Sequence, residues 1–242
     1  MRRILVFVFS FFSLMTYAQF PNFVKVEGGS FTMGDEFGFG VHDETLHEVT
    51  LKSYYIARTE VTVAQYRKYC LSAGVNMPSE LPETANDNEP IRSVNYKNAI
   101  GYCEWLSEEL DRNVMLPTEA QWEFAARGGN YSKVYNYSGG HSLNLVGWNR
   151  DNSGGKVHIV AQKKPNELGL YDMSGNVYEW CRDWYGDYLT IQHNPTGRIY
   201  GDTRVLRGGS FSNNVASCRV ANRNRSKQDT RNSNRGFRVV SF

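Results

Sequence analysis

Apolar and polar positions alternate along two early segments of the chain and recur at helical spacing along three later ones. Glu27 to Gly34 (EGGSFTMG) and His47 to Ile56 (HEVTLKSYYI) mix β-branched and aromatic residues with polar ones and carry glycines at the bends, which predicts strands. Thr62 with Gln65 makes a capping-box start, after which Val63, Tyr66 and Cys70 share one helical face. A second helix is predicted over Tyr96 to Leu110, with Ala99, Cys103, Leu106 and Leu110 as its apolar stripe. A third begins at Thr118, boxed by Gln121, and stops at Gly128-Gly129, where glycine takes the left-handed cap conformation. From there to Tyr200 the chain is rich in Gly, Asn, Asp and Ser and shows little periodicity. So long an irregular stretch in a compact domain needs a metal, a disulfide or dense side-chain hydrogen bonding to hold it.

The first 18 residues follow a different pattern. Arg2 and Arg3 precede an apolar run from Ile4 to Leu14 that is too short to span a bilayer, and Thr16-Tyr17-Ala18 offers a small residue before a cut at Gln19. Residues 1–18 are thus expected to be a secretory signal peptide and 19–242 one exported domain, secreted or periplasmic. No cysteine follows the apolar run to carry a lipid, and no later segment is apolar enough for a membrane helix, so no membrane insertion is expected after cleavage. Loss of Arg2 and Arg3 takes the basic residues from 27 to 25, equal to the 25 acidic ones. A neutral mature chain argues against a nucleic-acid partner. Hydrophobic residues at 40% suffice for a core, and no linker or charge block divides it.

Two later blocks carry most of the chemistry: Gly169 to Trp184 (GLYDMSGNVYEWCRDW) and Arg204 to Val239, which opens RVLRGGSF and closes NRGFRV. With EGGSFTMG, ARTEVTVAQY (57–66), SVNYKNAIGYCEWL (93–106) and LPTEAQWEFAARGG (116–129), they resemble the formylglycine-generating enzyme (sulfatase-modifying factor) family in order and spacing. The resemblance implies a single loop-rich α+β domain with little regular secondary structure, distantly similar to C-type lectins.

It also implies sites. A calcium position of the family falls on the Asp172 side chain, the Gly175 and Val177 carbonyls and the Glu179 side chain; calcium takes several oxygens, and carbonyls of a tight turn join carboxylates in supplying them. The bland reading of the same segment is a Gly175-Asn176 turn that packs Tyr178 and Trp180. Catalysis in the resembled enzymes uses copper(I) between two thiolates, soft ligands suited to that ion. Counted from Gly208-Gly209-Ser210, these positions are Asn213 and Cys218, so the first thiolate is missing and copper is not expected. Tyr178 and Ser217 replace a tryptophan and a tyrosine of the family at the same place.

Four cysteines in an exported chain allow three pairings. Cys181 follows the calcium-type turn and Cys218 lies in the segment expected beside it, while Cys70 and Cys103 sit on inward helical stripes; the expected bridges are Cys181 with Cys218 and Cys70 with Cys103. The alternative is a free, reactive Cys218 activated by Arg219 and Arg223. His42 and His47 with Asp43, Glu44 and Glu48 form the one histidine and carboxylate cluster, but such a stretch is an ordinary strand entry in the resembled family.

The last 35 residues interleave asparagines with arginines and resemble the variable region of diversity-generating retroelement proteins, which bind protein ligands on this fold. Ser210, Asn213, Asn214 and Asn222 are the candidate ligand-binding residues for a protein or polar partner, while Arg235 and Arg238 around Gly236-Phe237 read as internal anchors. The expected function is a calcium-stabilised binding or scaffold module without the copper site. The alternative is a formylglycine-generating-type oxidoreductase acting on protein cysteine.

Overall fold

The computed structural model describes residues 20–39, 43–188 and 193–242; the expected signal peptide and His42 lie outside the described residues. The described residues open with four short strands: β1 (Phe23–Val26), β2 (Gly29–Met33), β3 (His47–Leu51) and β4 (Tyr54–Ala57). The single strand expected over 47–56 is divided, because β3 pairs antiparallel with β2 whereas β4 pairs antiparallel with β1. The division sits at Lys52-Ser53, where the Gly28 N–H donates to Ser53 Oγ at 2.9 Å. A Cβ on Gly28 would lie 2.6 Å from the Leu51 carbonyl, so only glycine lets the two segments pass.

The three helices lie where the caps place them. In α1 (Val63–Ala73), α2 (Tyr96–Leu110) and α3 (Glu119–Ala126), Thr62, Asn95 and Thr118 are N-caps with reciprocal boxes to Gln65, Asn98 and Gln121. Val63, Tyr66, Cys70, Ala99, Cys103 and Leu106 are buried as their spacing requires. All eight residues of α3 are buried, and the chain leaves it through Gly128 and Gly129, both at positive φ.

The remaining elements are β5 (Val114–Met115), α4 (Leu143–Val146), β6 (Tyr178–Trp184), β7 (Arg204–Arg207), β8 (Arg223–Ser226), β9 (Arg235–Gly236) and β10 (Val240–Ser241). They complete two four-stranded sheets, β1-β4-β10-β5 and β8-β7-β6-β9, beside the β2-β3 ribbon. The result is an α+β fold in which β10 enters between β4 and β5 and joins the end of the chain to its start. Dense side-chain hydrogen bonding holds the irregular stretch: Asn166 donates to the Ala125 carbonyl and accepts from Leu168 and Leu170 N–H, closing three turns with one side chain.

Two large hydrophobic clusters form most of the core, beside a small third one of Leu143, Val146 and Cys218. One gathers α1, α2, Tyr178, Trp180 and Phe237, and the other packs α3 against Val26, Ile56, Cys181 and Val205. β6 runs between them, so alternate residues of one strand serve both.

Candidate functional site

The turn before β6 is built around Gly175 and Asn176, both at positive φ. A Cβ on Gly175 would lie 2.1 Å from the Trp148 carbonyl. Asn176 exchanges two hydrogen bonds with the backbone of His158. This geometry carries Asp172 and Glu179 into the interior, where both are buried.

Glu179 is strongly paired there. Its Oε2 accepts from Trp122 Nε1 and Arg238 Nε, each at 2.7 Å, and its Oε1 accepts from Arg238 Nη2 at 2.7 Å. Arg238 also donates to the Ala57 and Tyr171 carbonyls, which makes it the internal anchor expected from the GFR motif.

Asp172 differs. Its Oδ2 accepts from the Ala161 N–H at 2.7 Å, while the buried Oδ1 has, among the described residues, no N–H donor. Beside it stands Glu60, which the sequence reading did not select; it is fully buried, and its carboxyl meets the Asp172 carboxyl and its own backbone N–H, while among the described residues no other group hydrogen-bonds it. Burial first, and then the Asp172 charge, hold the Glu60 carboxyl well above the usual range. Burial likewise raises Asp172 to about 6.

Ionised together, these three carboxyls would face one guanidinium with two negative charges uncompensated; the raised Glu60 carboxyl instead keeps a proton that it can share with Asp172. The ionised arrangement is costly unless protons or a cation neutralise it. Among the described residues no three His, Cys, Asp or Glu side chains already converge on one metal position. The donor set still suits a hard cation: Glu60 and Asp172 offer carboxyl oxygens, and three donors on Glu179 leave it one of about four lone-pair sites.

The second region lies between β7 and β9. The Ser210 N–H bonds the Cys218 sulfur, and Ser210 Oγ donates to Asn213 Oδ1. Asn234 Nδ2 reaches Ser210 Oγ and Ser212 Oγ at 3.3 and 3.2 Å, and its Oδ1 is buried without a partner. Of the expected ligand-binding residues, the structure brings Ser210 and Asn213 together, although Ser210 itself is buried. Asn214 caps a turn by accepting from Ser217 N–H and Oγ. Asn222 donates to Glu44 Oε1 and belongs to the skeleton.

Cys218 is fully buried against Leu143 and Val146, and burial pushes its thiol up to about 12. The expected disulfides are not formed, and all four cysteines are free and buried. Cys181 points into the α3 cluster whereas Cys218 lies in a third, separate one. The α1–α2 interface near Cys70 and Cys103 is filled by the rings of Tyr66, Tyr69, Tyr102 and Trp105. Nor does Cys218 match a reactive thiol: Arg219 turns away to Glu44, and Arg223 forks onto Glu119. The acidic stretch near His47 is dispersed, with Glu44 on Arg219, Asp43 accepting from Tyr185 and Glu48 accepting from Thr32.

Comparison with known proteins agrees with this architecture. The profile of the sulfatase-modifying factor enzyme 1-like domain matches residues 11–241. The formylglycine-generating enzyme of Streptomyces coelicolor is 30% identical, over 90% of this chain and 88% of that protein. A serine/threonine-protein kinase pkn1 of Chlamydia pneumoniae is 34% identical over 90% of this chain, which spans only 37% of that protein's length. Among solved structures, Treponema denticola variable protein 1 superposes with a TM-score of 0.81 at 29% identity, covering 90% of this chain and 94% of that one.

Proposed function

The chain belongs to the sulfatase-modifying factor family, and from that premise we propose that it is a member without the cysteine-oxidising site, working as an exported binding or scaffold module. The observation that carries this reading is Asn213 at the place of the first copper-binding thiolate, with the remaining thiol, Cys218, sealed in the core. A neutral amide is a poor partner for copper(I), and a thiol raised to about 12 is almost wholly protonated at neutral pH. Two mobile thiolates are needed to hold a soft ion and receive a substrate sulfur; here there is one, and it is buried.

The recognition surface is the floor around Ser210 to Asn214, with Ser212 and Asn234 joining it. Its polar groups are held by one another rather than by solvent, so a partner meets donors and acceptors already oriented. Its likeness in fold to the variable protein of Treponema denticola supports this reading.

Calcium stabilises the module. Asp172, the Gly175 and Val177 carbonyls and Glu179 would hold the ion, Glu60 would add its carboxyl oxygens on losing its proton, and a divalent cation would balance the two charges left when Glu60 and Asp172 are both ionised. When bound, calcium supplies charge neutralisation and rigidity. Residues 1–18 direct export, which is checked by a secreted product whose first residue is Gln19.

The oxidase alternative is tested directly. Purified protein is incubated with copper(I), oxygen and a cysteine peptide of the sulfatase type, and aldehyde is sought by mass spectrometry. No aldehyde is expected, and its formation would overturn the reading. Exported proteins of the source cells that bind the immobilised protein should be lost on Asn213→Ala or Asn234→Ala; a partner indifferent to both variants would place binding elsewhere.

A further inference from the structure

A recess of about 290 Å³ opens between the Lys52-Ser53 turn, the start of α3, β6 and the segment at Asn194. Its walls include Lys52, Arg182, Gln121 and Asn194, over apolar Leu51 and Phe242. Arg182 is unlike the buried arginines of this fold. Arg207, Arg219, Arg223 and Arg238 each pair with a carboxylate, whereas the hydrogen bond of the Arg182 guanidinium is to the Met115 sulfur at 3.0 Å. Among the described residues neither Arg182 nor Lys52 has a carboxylate within ion-pair distance.

Nearby acids do not fill the gap. Asp183 turns its Oδ2 to the Glu119 N–H, and burial raises its carboxyl to about 7. Glu27, outside the lining, accepts from Ser53 Oγ at 3.2 Å and pairs with Lys25. Arg204 adds positive charge behind Arg182 by donating to its carbonyl at 2.6 Å.

Amide donors are also free. Gln121 is 9% exposed, and its Oε1 is committed to the Thr118 N–H, which among the described residues leaves Nε2 as an unpartnered donor at the recess. Asn194 accepts from the Lys52 N–H through Oδ1, and among the described residues its Nδ2 has no partner. The capping box and Asp183 already occupy the first N–H groups of α3, so ligand donors here are side chains.

We propose that this recess binds a small oxyanion carried on an apolar body, with Arg182 and Lys52 on the charge, the Gln121 and Asn194 amides beside it, and Leu51 and Phe242 against the body. A guanidinium fork matches carboxylate and phosphate oxygens alike, and the volume lies just under the ~300–1,000 Å³ usual for drug-sized ligands. The site shares no residue with the Ser210–Asn213 floor and does not depend on the function proposed above.

The test is titration of the full chain with benzoate, phenyl phosphate, inorganic phosphate and uncharged benzamide, followed by NMR or calorimetry. Saturable binding of benzoate or phenyl phosphate is expected, with benzamide and inorganic phosphate at least tenfold weaker. Which of the two aromatic anions binds more tightly assigns the ligand to carboxylates or to phosphate monoesters. Arg182→Gln should weaken binding at least tenfold and Lys52→Gln about threefold, while Asn213→Ala leaves it unchanged. Saturation by neither aromatic anion, or benzamide binding as well as benzoate, would overturn the proposal. Should Arg182→Gln fail to fold, Lys52→Gln decides, because its side chain is exposed, and unchanged binding there also overturns the proposal.

Discussion

Replacing Asp183 by Asn should change how stability depends on pH, and the size of the effect follows from the carboxyl's surroundings. Asp183 is buried, and burial first, then the Glu119 charge, raise it from 3.8 to about 7; Arg182 and Arg223 oppose the rise. At ~1.4 kcal/mol per pH unit, the difference in proton affinity between folded and unfolded chains is worth up to about 4 kcal/mol. The sign is fixed by linkage. Between about pH 4 and pH 7 the folded chain holds this proton and the unfolded chain does not, so stability falls as pH rises through that window. Asparagine cannot ionise, yet its carbonyl can still accept from the Glu119 N–H as Asp183 does at 2.9 Å. The gain of Asp183→Asn over the native chain should therefore be small at pH 4, climb through pH 7 and level off, reaching at most about 4 kcal/mol. Urea unfolding at pH 4, 5, 6, 7 and 8 measures this difference, because the other titrating groups cancel between the two proteins. A difference that stays flat within about 0.5 kcal/mol, or that falls with pH, would refute the assignment of a buried, protonated Asp183.

Chelation should lower the melting temperature at neutral pH and added calcium restore it, by about 2.7 kcal/mol at a hundredfold excess over Kd; Glu60→Gln should reduce that gain while stabilising the chelated protein, and equal responses in both proteins would contradict the cage. Cys218 and the other thiols should resist alkylation at pH 8 in the native protein and take up four labels after unfolding, as counted by mass spectrometry; rapid labelling of Cys218 in the native state would revive the reactive-thiol reading. Arg238→Met should cost roughly 3–5 kcal/mol in urea unfolding, because it strands the Glu179 charge in the core. Adding Glu179→Gln to that variant should recover part of the loss, and no recovery would show that Arg238 acts through packing alone.

Local signals made the helices legible. The boxes at Thr62 and Thr118 name their partners three residues on, and the apolar stripes of α1 and α2 need no tertiary knowledge, whereas the Asn95–Asn98 box of α2 went unread. The strands of the second half were hidden for a physical reason. β6 is buried on both faces and so lacks alternation, while Arg207 in β7 and Arg223 in β8 are core residues only because Glu119 and Glu123 of α3 meet them. Nothing local in RVLR or RNRS announces that pairing. Glu60 escaped notice similarly: it is one acid in an otherwise ordinary run before a helix cap, and its meaning lies in Asp172, far along the chain. The cysteines misled because an even count suggests bridges, whereas their side chains were assigned to clusters by strand alternation and by the ring-filled helix interface.

Those long-range ion pairs also separate, within residues 207–242, positions that the fold fixes from positions that it leaves open. Arg207 meets Glu123, Arg219 meets Glu44, Arg223 meets Glu119 and Arg238 meets Glu179, and every one of these side chains is buried. Breaking any of them leaves an uncompensated charge in the interior, so these positions are fixed. Between the anchors stand Ser212, Asn214 and Arg225, all exposed, with Asn213, Asn224 and Asn234 half-buried among them. Substitution at the exposed positions removes at most a turn cap or a surface bond, within the ~0.5 kcal/mol typical of surface changes for most and about 1 kcal/mol for a cap. Stability and the recognition proposed above would therefore be carried by different residues of the same short segment. A segment divided in this way can change what it binds without losing its fold, a property that a binding module needs and that an oxidase, tied to two thiols at fixed positions, does not have.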